Sequence, residues 1–191
     1  MKQRHSHACV RLASLFLVGM ALVVSHGRTA LGVEVEIGEA TIPPGVTLVF
    51  EGAMPDDITP HAQHLAQEKT DVHLEVRANW AAEGAVPDGA PRGGFVAYLN
   101  MHAQVENEQT GQVLFVTLMP HLVLGDSFHY ARNVALPGGT NHRYTVTFFV
   151  NPPDPFALAF HANWREQFGP TLIQEHVFTF HGVDFSAVVE P

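Results

Sequence analysis

Apolar and polar residues alternate along residues 95–106: Phe95, Ala97, Leu99, Met101, Ala103 and Val105 fall on one side of an extended chain, and Tyr98, Asn100, His102, Gln104 and Glu106 on the other. The turn-rich run Asn107-Glu108-Gln109-Thr110-Gly111 follows and leads into the apolar stretch 113–118, which predicts a β-hairpin. Short β-prone stretches recur at 33–37, 46–50, 71–77, 94–105, 112–118, 143–150 and 176–180, most of them flanked by Gly, Pro, Asn or Asp. Strands of this length and spacing, without a long 3.6-residue period, predict an all-β chain: an immunoglobulin-like β-sandwich forming one domain. A Cys…Trp…Cys pattern is absent, which excludes the antibody type.

The stretch Asp71-Val72-His73-Leu74-Glu75-Val76-Arg77 is the most informative strand candidate. Extended, it turns Val72, Leu74 and Val76 toward a core and Asp71, His73 and Glu75 the other way. Residues two apart on a strand are separated by roughly 6.6 Å, so an imidazole and a carboxylate so placed can reach one metal ion. An exposed face of solvated polar groups is the ordinary alternative for so short a run.

The N-terminus predicts a secretory signal peptide over residues 1–32, with Lys2, Arg4 and Arg11 ahead of the apolar run 12–24 and small residues after it. Ala30-Leu31-Gly32 reads as the cleavage site, with cleavage after Ala30 as the alternative. The apolar run falls short of a membrane span and nothing later approaches the roughly 20 residues needed, so an exported domain over residues 33–191 is expected, without a membrane span. Cys9 is the only cysteine and leaves with the leader, so the mature domain rests on its core without a disulfide.

Charge narrows the class of partner. The leader carries four basic residues (Lys2, Arg4, Arg11, Arg28) of the chain's 10, which leaves 6 against 19 acidic ones and a mature net charge of −13 with histidine neutral. Such a surface repels nucleic acid and anionic lipid and attracts cations. Ten of the 13 histidines remain after His5, His7 and His26 are removed, an acidic, His-rich, Cys-free composition suited to metals held through nitrogen and oxygen. A nucleophile elbow, a phosphate loop and a zinc-protease helix motif are all lacking, which argues against hydrolysis and phosphoryl transfer.

Three long connections contain Pro or Gly. Residues 54–69 carry His61 and His64, residues 81–93 are rich in Gly, Pro and Ala, and residues 151–169 begin Asn-Pro-Pro-Asp-Pro and carry His161 and Trp164. A second informative stretch runs from Leu118 to Tyr130, where a strand ends at Pro120, a loop turns at Gly125, and His121 and His129 flank it. Taken singly, each of these histidines is an ordinary surface or core group.

In combination these runs have a counterpart. Asp71-Val72-His73-Leu74-Glu75, Met119-Pro120 with Gly125-Asp126 and Phe128-His129-Tyr130, and Asn151-Pro152-Pro153 ahead of His161, in that order, resemble the periplasmic ferrous-iron transport proteins of the FetP and FtrA type over about residues 35–185. The resemblance implies a homodimeric sandwich that binds copper, with a neighbouring site for iron or manganese, working in the periplasm beside an inner-membrane iron permease. The copper ligands it implies are His73, Glu75, His129 and His161. The family's remaining ligand is a methionine in a Met-Pro-Met run, and here that run reads Met119-Pro120-His121. His121 is therefore the favoured fifth ligand and Met119 the alternative, a change from thioether to imidazole that favours Cu(II), Zn(II) or Fe(II) over Cu(I).

Asp126 is a candidate partner of His129 or ligand of the second, oxygen-rich ion, with a turn residue as its other role. The family's Gly-Met run before the His-Leu-Glu strand is replaced by His61-Ala62-Gln63-His64-Leu65, and its Trp-Trp pair is missing. Two further function classes stay open: a ferroxidase or copper redox enzyme, and a non-catalytic sandwich that buffers metal or binds a protein partner.

Overall fold

The computed structural model describes residues 34–60 and 69–188. The leader, Val33 and the two histidines at 61 and 64 lie outside the described residues. Eight antiparallel strands and one short helix follow in the order β1 (Val35–Ile42), β2 (Val46–Ala53), β3 (Val72–Trp80), β4 (Asn100–Asn107), β5 (Val113–His121), β6 (His129–Val134), β7 (Arg143–Asn151), α1 (Ala162–Phe168) and β8 (His176–Asp184). The expected all-β sandwich is what forms. Neighbouring strands run β1-β2-β3-β6-β5-β4-β7-β8.

Strand β5 joins the two layers. Its first part pairs with β4, up to Leu118 opposite Met101, and its last three residues pair with β6, Met119 opposite Ala131 and His121 opposite His129. At the far edges β1 and β8 come close enough that a Cβ at Gly38 would lie 2.2 Å from the Phe180 ring. The space between layers is filled by the period-two apolar rows: Leu48 and Phe50 of β2, Leu74 and Val76 of β3, Ala103 and Val105 of β4, and Val146 and Phe148 of β7 are all buried.

The hairpin forms as the alternation predicts. Asn107 is fully buried and its side-chain oxygen accepts the backbone N–H groups of Gln109 and Thr110, while Gly111 takes a positive φ of 69°. The alternation itself fails earlier, between residues 95 and 99. Val96 and Leu99 are buried, Ala97 is not, and β4 begins only at Asn100. The cause is a local reversal at Tyr98, whose φ is +70°. The buried Tyr130 hydroxyl holds that reversal, donating to the Val96 carbonyl at 2.8 Å and accepting the Leu99 N–H at 3.0 Å.

Two elements depart from the sequence reading. The stretch His129–Val134 forms a strand that its mixed polarity conceals, and residues within the Pro-rich connection close into α1, a seven-residue helix with no buried residue. Trp164 anchors that helix: its indole N–H donates to the Thr171 carbonyl at 3.1 Å and its ring lies 4.7 Å from that of Phe168.

Tyr130→Phe removes a buried hydroxyl while leaving the Val96 carbonyl and Leu99 N–H in place, so it is expected to destabilise the fold by about 2 kcal/mol. Urea unfolding of the variant against the parent measures this, and an unchanged midpoint would contradict the role given to that hydroxyl.

Candidate metal centre

Strand register assembles the site. Residues directly opposite in antiparallel strands share a face, and β3 sends Val72, Leu74 and Val76 inward, so His73, Glu75 and Arg77 lie on the outer face of their layer. Opposite them stand Ala53 and Glu51 of β2, and Asn133 and Ala131 of β6. The same face continues onto His129 of β6 and onto Met119 and His121 of β5. An outer face would ordinarily be wet, yet His73, Glu75, His129, Glu51 and Asn133 are all buried.

His73, His121 and His129 each offer a ring nitrogen, and these three atoms lie within 4.8 Å of one another. Ring centroids are 5.2 Å apart for His73 and His121 and 5.7 Å for the other two pairs. His73 donates its Nδ1–H to the Asn133 side-chain oxygen at 2.8 Å, and His129 donates its Nδ1–H to the Ser127 carbonyl at 2.9 Å. Both partners accept only, so each ring is fixed as the tautomer whose Nε2 carries the lone pair. Those two Nε2 atoms face one carboxylate oxygen, Glu75 Oε2, at 3.8 Å from His73 and 3.5 Å from His129.

Electrostatics set which protons compete with a metal. Burial holds the His129 imidazolium below its ordinary range, so the ring is neutral and ready to ligate. Burial pushes the carboxyl of Glu75 up to about 7, against the lowering effect of the Arg77 guanidinium. Glu51, its cross-strand neighbour, is likewise pushed up to about 7 by burial, and the hydrogen bond between them raises Glu51 and lowers Glu75. Both carboxyls therefore hold protons more tightly than an exposed glutamate does, and a metal at the imidazoles competes with the proton on Glu75.

A cleft of about 550 Å³ opens over the three histidines, with Met119, Leu122 and Leu124 among its lining residues. Leu122 and Leu124 are exposed at its rim.

Of the residues proposed from sequence, His73, His121 and His129 come together, Glu75 stands against His73 and His129, and Met119 borders the same cleft. His161 does not join them: it stands at the N-cap position of α1 without a side-chain capping bond, is exposed, and is not among the residues lining the cleft. The reason is chain geometry, since the connection after β7 ends in a helix on the surface. Asp126 stands 3.7 Å from the Arg77 guanidinium, in an ion pair with it. Sequence reasoning missed Asn133 and Glu51. An acidic residue in the otherwise apolar β2 is a signal that could have found Glu51; Asn133 carries none before the register is known.

The donor set suits a first-row divalent ion. Three imidazoles with one carboxylate can hold Cu(II) or Zn(II), and the hydrogen bonds behind His73 and His129 are those that orient metal-binding rings.

Comparison with known proteins adds a family to this geometry. A family model described as Fe2+ transport protein matches residues 32–186. Among solved structures, a copper-bound variant of Campylobacter jejuni P19 is 25% identical, with 78% of this chain and 96% of that one covered at a TM-score of 0.63. A copper-bound variant of FetP from uropathogenic Escherichia coli is 25% identical, covering 80% and 99% at a TM-score of 0.62. FetP from the same source, as isolated, is 26% identical, covering 80% and 97% at a TM-score of 0.60. Comparison with curated proteins gives no match.

Glu75 must lose its proton before it can ligate, so affinity for a divalent first-row metal is expected to fall by up to about tenfold per pH unit below pH 7 and to level off above it. Competition against a chelator across this range measures the profile. A flat profile between pH 6 and 7.5 would remove Glu75 from the ligand set.

Proposed function

The chain belongs to the Fe2+ transport protein family, and from that premise we propose that it is a periplasmic copper-binding protein of ferrous-iron uptake, working beside an inner-membrane iron permease. The observation that carries this reading is the convergence of His73 Nε2, His129 Nε2 and Glu75 Oε2, with His121 alongside, on one buried face. Copper is the metal bound in the P19 and FetP variants to which the chain is similar. Copper held by these residues would supply a one-electron couple.

The chain's own residues do the rest. His73 and His129 present pre-oriented lone pairs, Asn133 and Ser127 hold the rings, and Glu75 supplies the anionic donor. His121 stands where the resemblance puts a thioether, which shifts the donor set toward nitrogen and oxygen and toward Cu(II). Ferrous iron is cargo in this reading, drawn to a domain that carries many more acidic than basic residues.

Homodimer formation completes the site. The cleft is open and rimmed by the exposed Leu122 and Leu124, and His161 lies on the exposed start of α1. A second copy docked over the rim would cover these apolar side chains and bring its own His161 to the imidazoles.

One copper per chain is expected in the purified protein, lost in the His73→Ala/His129→Ala double variant. Weak, multiple copper binding that the double variant leaves unchanged would reduce the cluster to a His-rich surface. A second test addresses sharing. His161→Ala chains and double-variant chains are each copper-deficient alone, and refolded together they are expected to regain one site per mixed dimer. Failure of the mixture to regain copper would place His161 outside the site or in the same chain. Turnover of ferrous iron by the copper-loaded protein would move the assignment to a ferroxidase.

A further inference from the structure

A cluster of charge lies one step along β3 from the imidazoles. Arg77 follows Glu75 by two residues and shares its face, and its guanidinium lies 3.1 Å from Glu34, 3.1 Å from Glu51, 3.3 Å from Glu75 and 3.7 Å from Asp126. These four carboxylates come from four separate segments: the residue before β1, β2, β3, and the loop between β5 and β6. Oxygen donors so gathered are what a hard divalent ion takes, and they include Asp126, the candidate ligand of a second, oxygen-rich ion.

Here the position is filled by the chain itself. The Arg77 side chain is only 22% exposed, and although burial works against its charge, the carboxylates of Glu51, Glu75, Asp126 and Glu34 outweigh it and keep the guanidinium charged. A guanidinium does not deprotonate and presents donors in several directions, so it can serve several carboxylates at once. A divalent ion among the same oxygens would have to displace it or sit against a like charge.

We propose that Arg77 is the resident cation of this acidic cluster and closes it to a second divalent ion, so that the protein carries one metal ion per chain. The proposal rests on the copper reading only in that Glu75 belongs to both groups. Arg77 is thereby a residue that determines metal stoichiometry. The second site for iron or manganese does not fit the residues present.

The test is equilibrium dialysis of the purified protein against Mn(II), with manganese and copper counted by elemental analysis on the same samples, for the parent, Arg77→Lys and Arg77→Gln. The parent and Arg77→Lys are expected to retain no manganese. Arg77→Gln, with the charge gone and the shape nearly kept, is expected to retain one manganese per chain at an affinity roughly tenfold or more above the parent. One manganese per chain in the parent, or none in a folded Arg77→Gln, would overturn the proposal. A second measurement needs no variant: in parent protein whose imidazole site is filled with diamagnetic Zn(II), the Arg77 Nε–Hε resonance is expected to survive added Mn(II), and its paramagnetic loss at substoichiometric Mn(II) would equally overturn it. Copper counts failing while the manganese results hold would count against the copper reading alone.

Discussion

The carboxamide of Asn133 ties the fold to the site. Its oxygen accepts the Nδ1–H of His73 at 2.8 Å and the backbone N–H of Asp56 at 3.3 Å, and its nitrogen donates to the Asp56 carbonyl at 2.6 Å. A buried amide must be satisfied, and these bonds do so only if β6 stands in its observed register with β3, Asn133 opposite His73. A slip of one residue would send Asn133 and His129 toward the core and Tyr130 outward. The same bonds pin the segment after β2 over the outer face of the sheet, which is why that face is buried. One register thus decides which nitrogen of His73 is turned toward the Glu75 carboxylate.

This dependence explains what could be read from the chain. Period-two alternation assigns each residue to a face, and it correctly separated His73 and Glu75 from Val72, Leu74 and Val76. It also found the β4–β5 hairpin, and the spacing of His121 and His129 around a turn found a pair that stand directly opposite each other. Alternation carries no information about register, so Asn133 could not be connected with His73, nor Glu51 with Glu75. Strand β6 was hidden because both of its faces are buried, one against the core and one within the site, so that His-Tyr-Ala-Arg-Asn-Val shows no contrast between sides. The false extension of β4 back to Phe95 has a similar origin: Tyr98 adopts a left-handed backbone that no alternation pattern reports. His161 lies apart, on the exposed start of α1, because its place in a sequence motif carries no information about where the long connection after β7 lays it.

Met119 and His121 are two apart on β5 and therefore compete for one role on one face. Their cross-strand partners differ. His121 stands opposite His129, itself a site residue, whereas Met119 stands opposite Ala131, which has no donor. The imidazole is thus paired with the site by the ladder, and the thioether is set one step along the strand at the edge of the cleft. The harder imidazole donor is thus presented to the histidine pair, with softer sulfur still within the lining.

Arg77 gives the site its second constraint, through Glu75. The two oxygens of that carboxylate are divided: Oε1 accepts from the guanidinium at 3.3 Å, and Oε2 faces the imidazoles of His73 and His129. A carboxylate so divided has one oxygen to offer a metal, so the ion pair with Arg77 fixes Glu75 as a single-oxygen donor. Glu51 acts from the other side, a second buried carboxyl that burial pushes up to about 7, as it does Glu75. Glu75 therefore stands between a proton, a guanidinium and three imidazoles. The charge left over for a metal is set by its neighbours on β2 and β3 as much as by the ligands themselves.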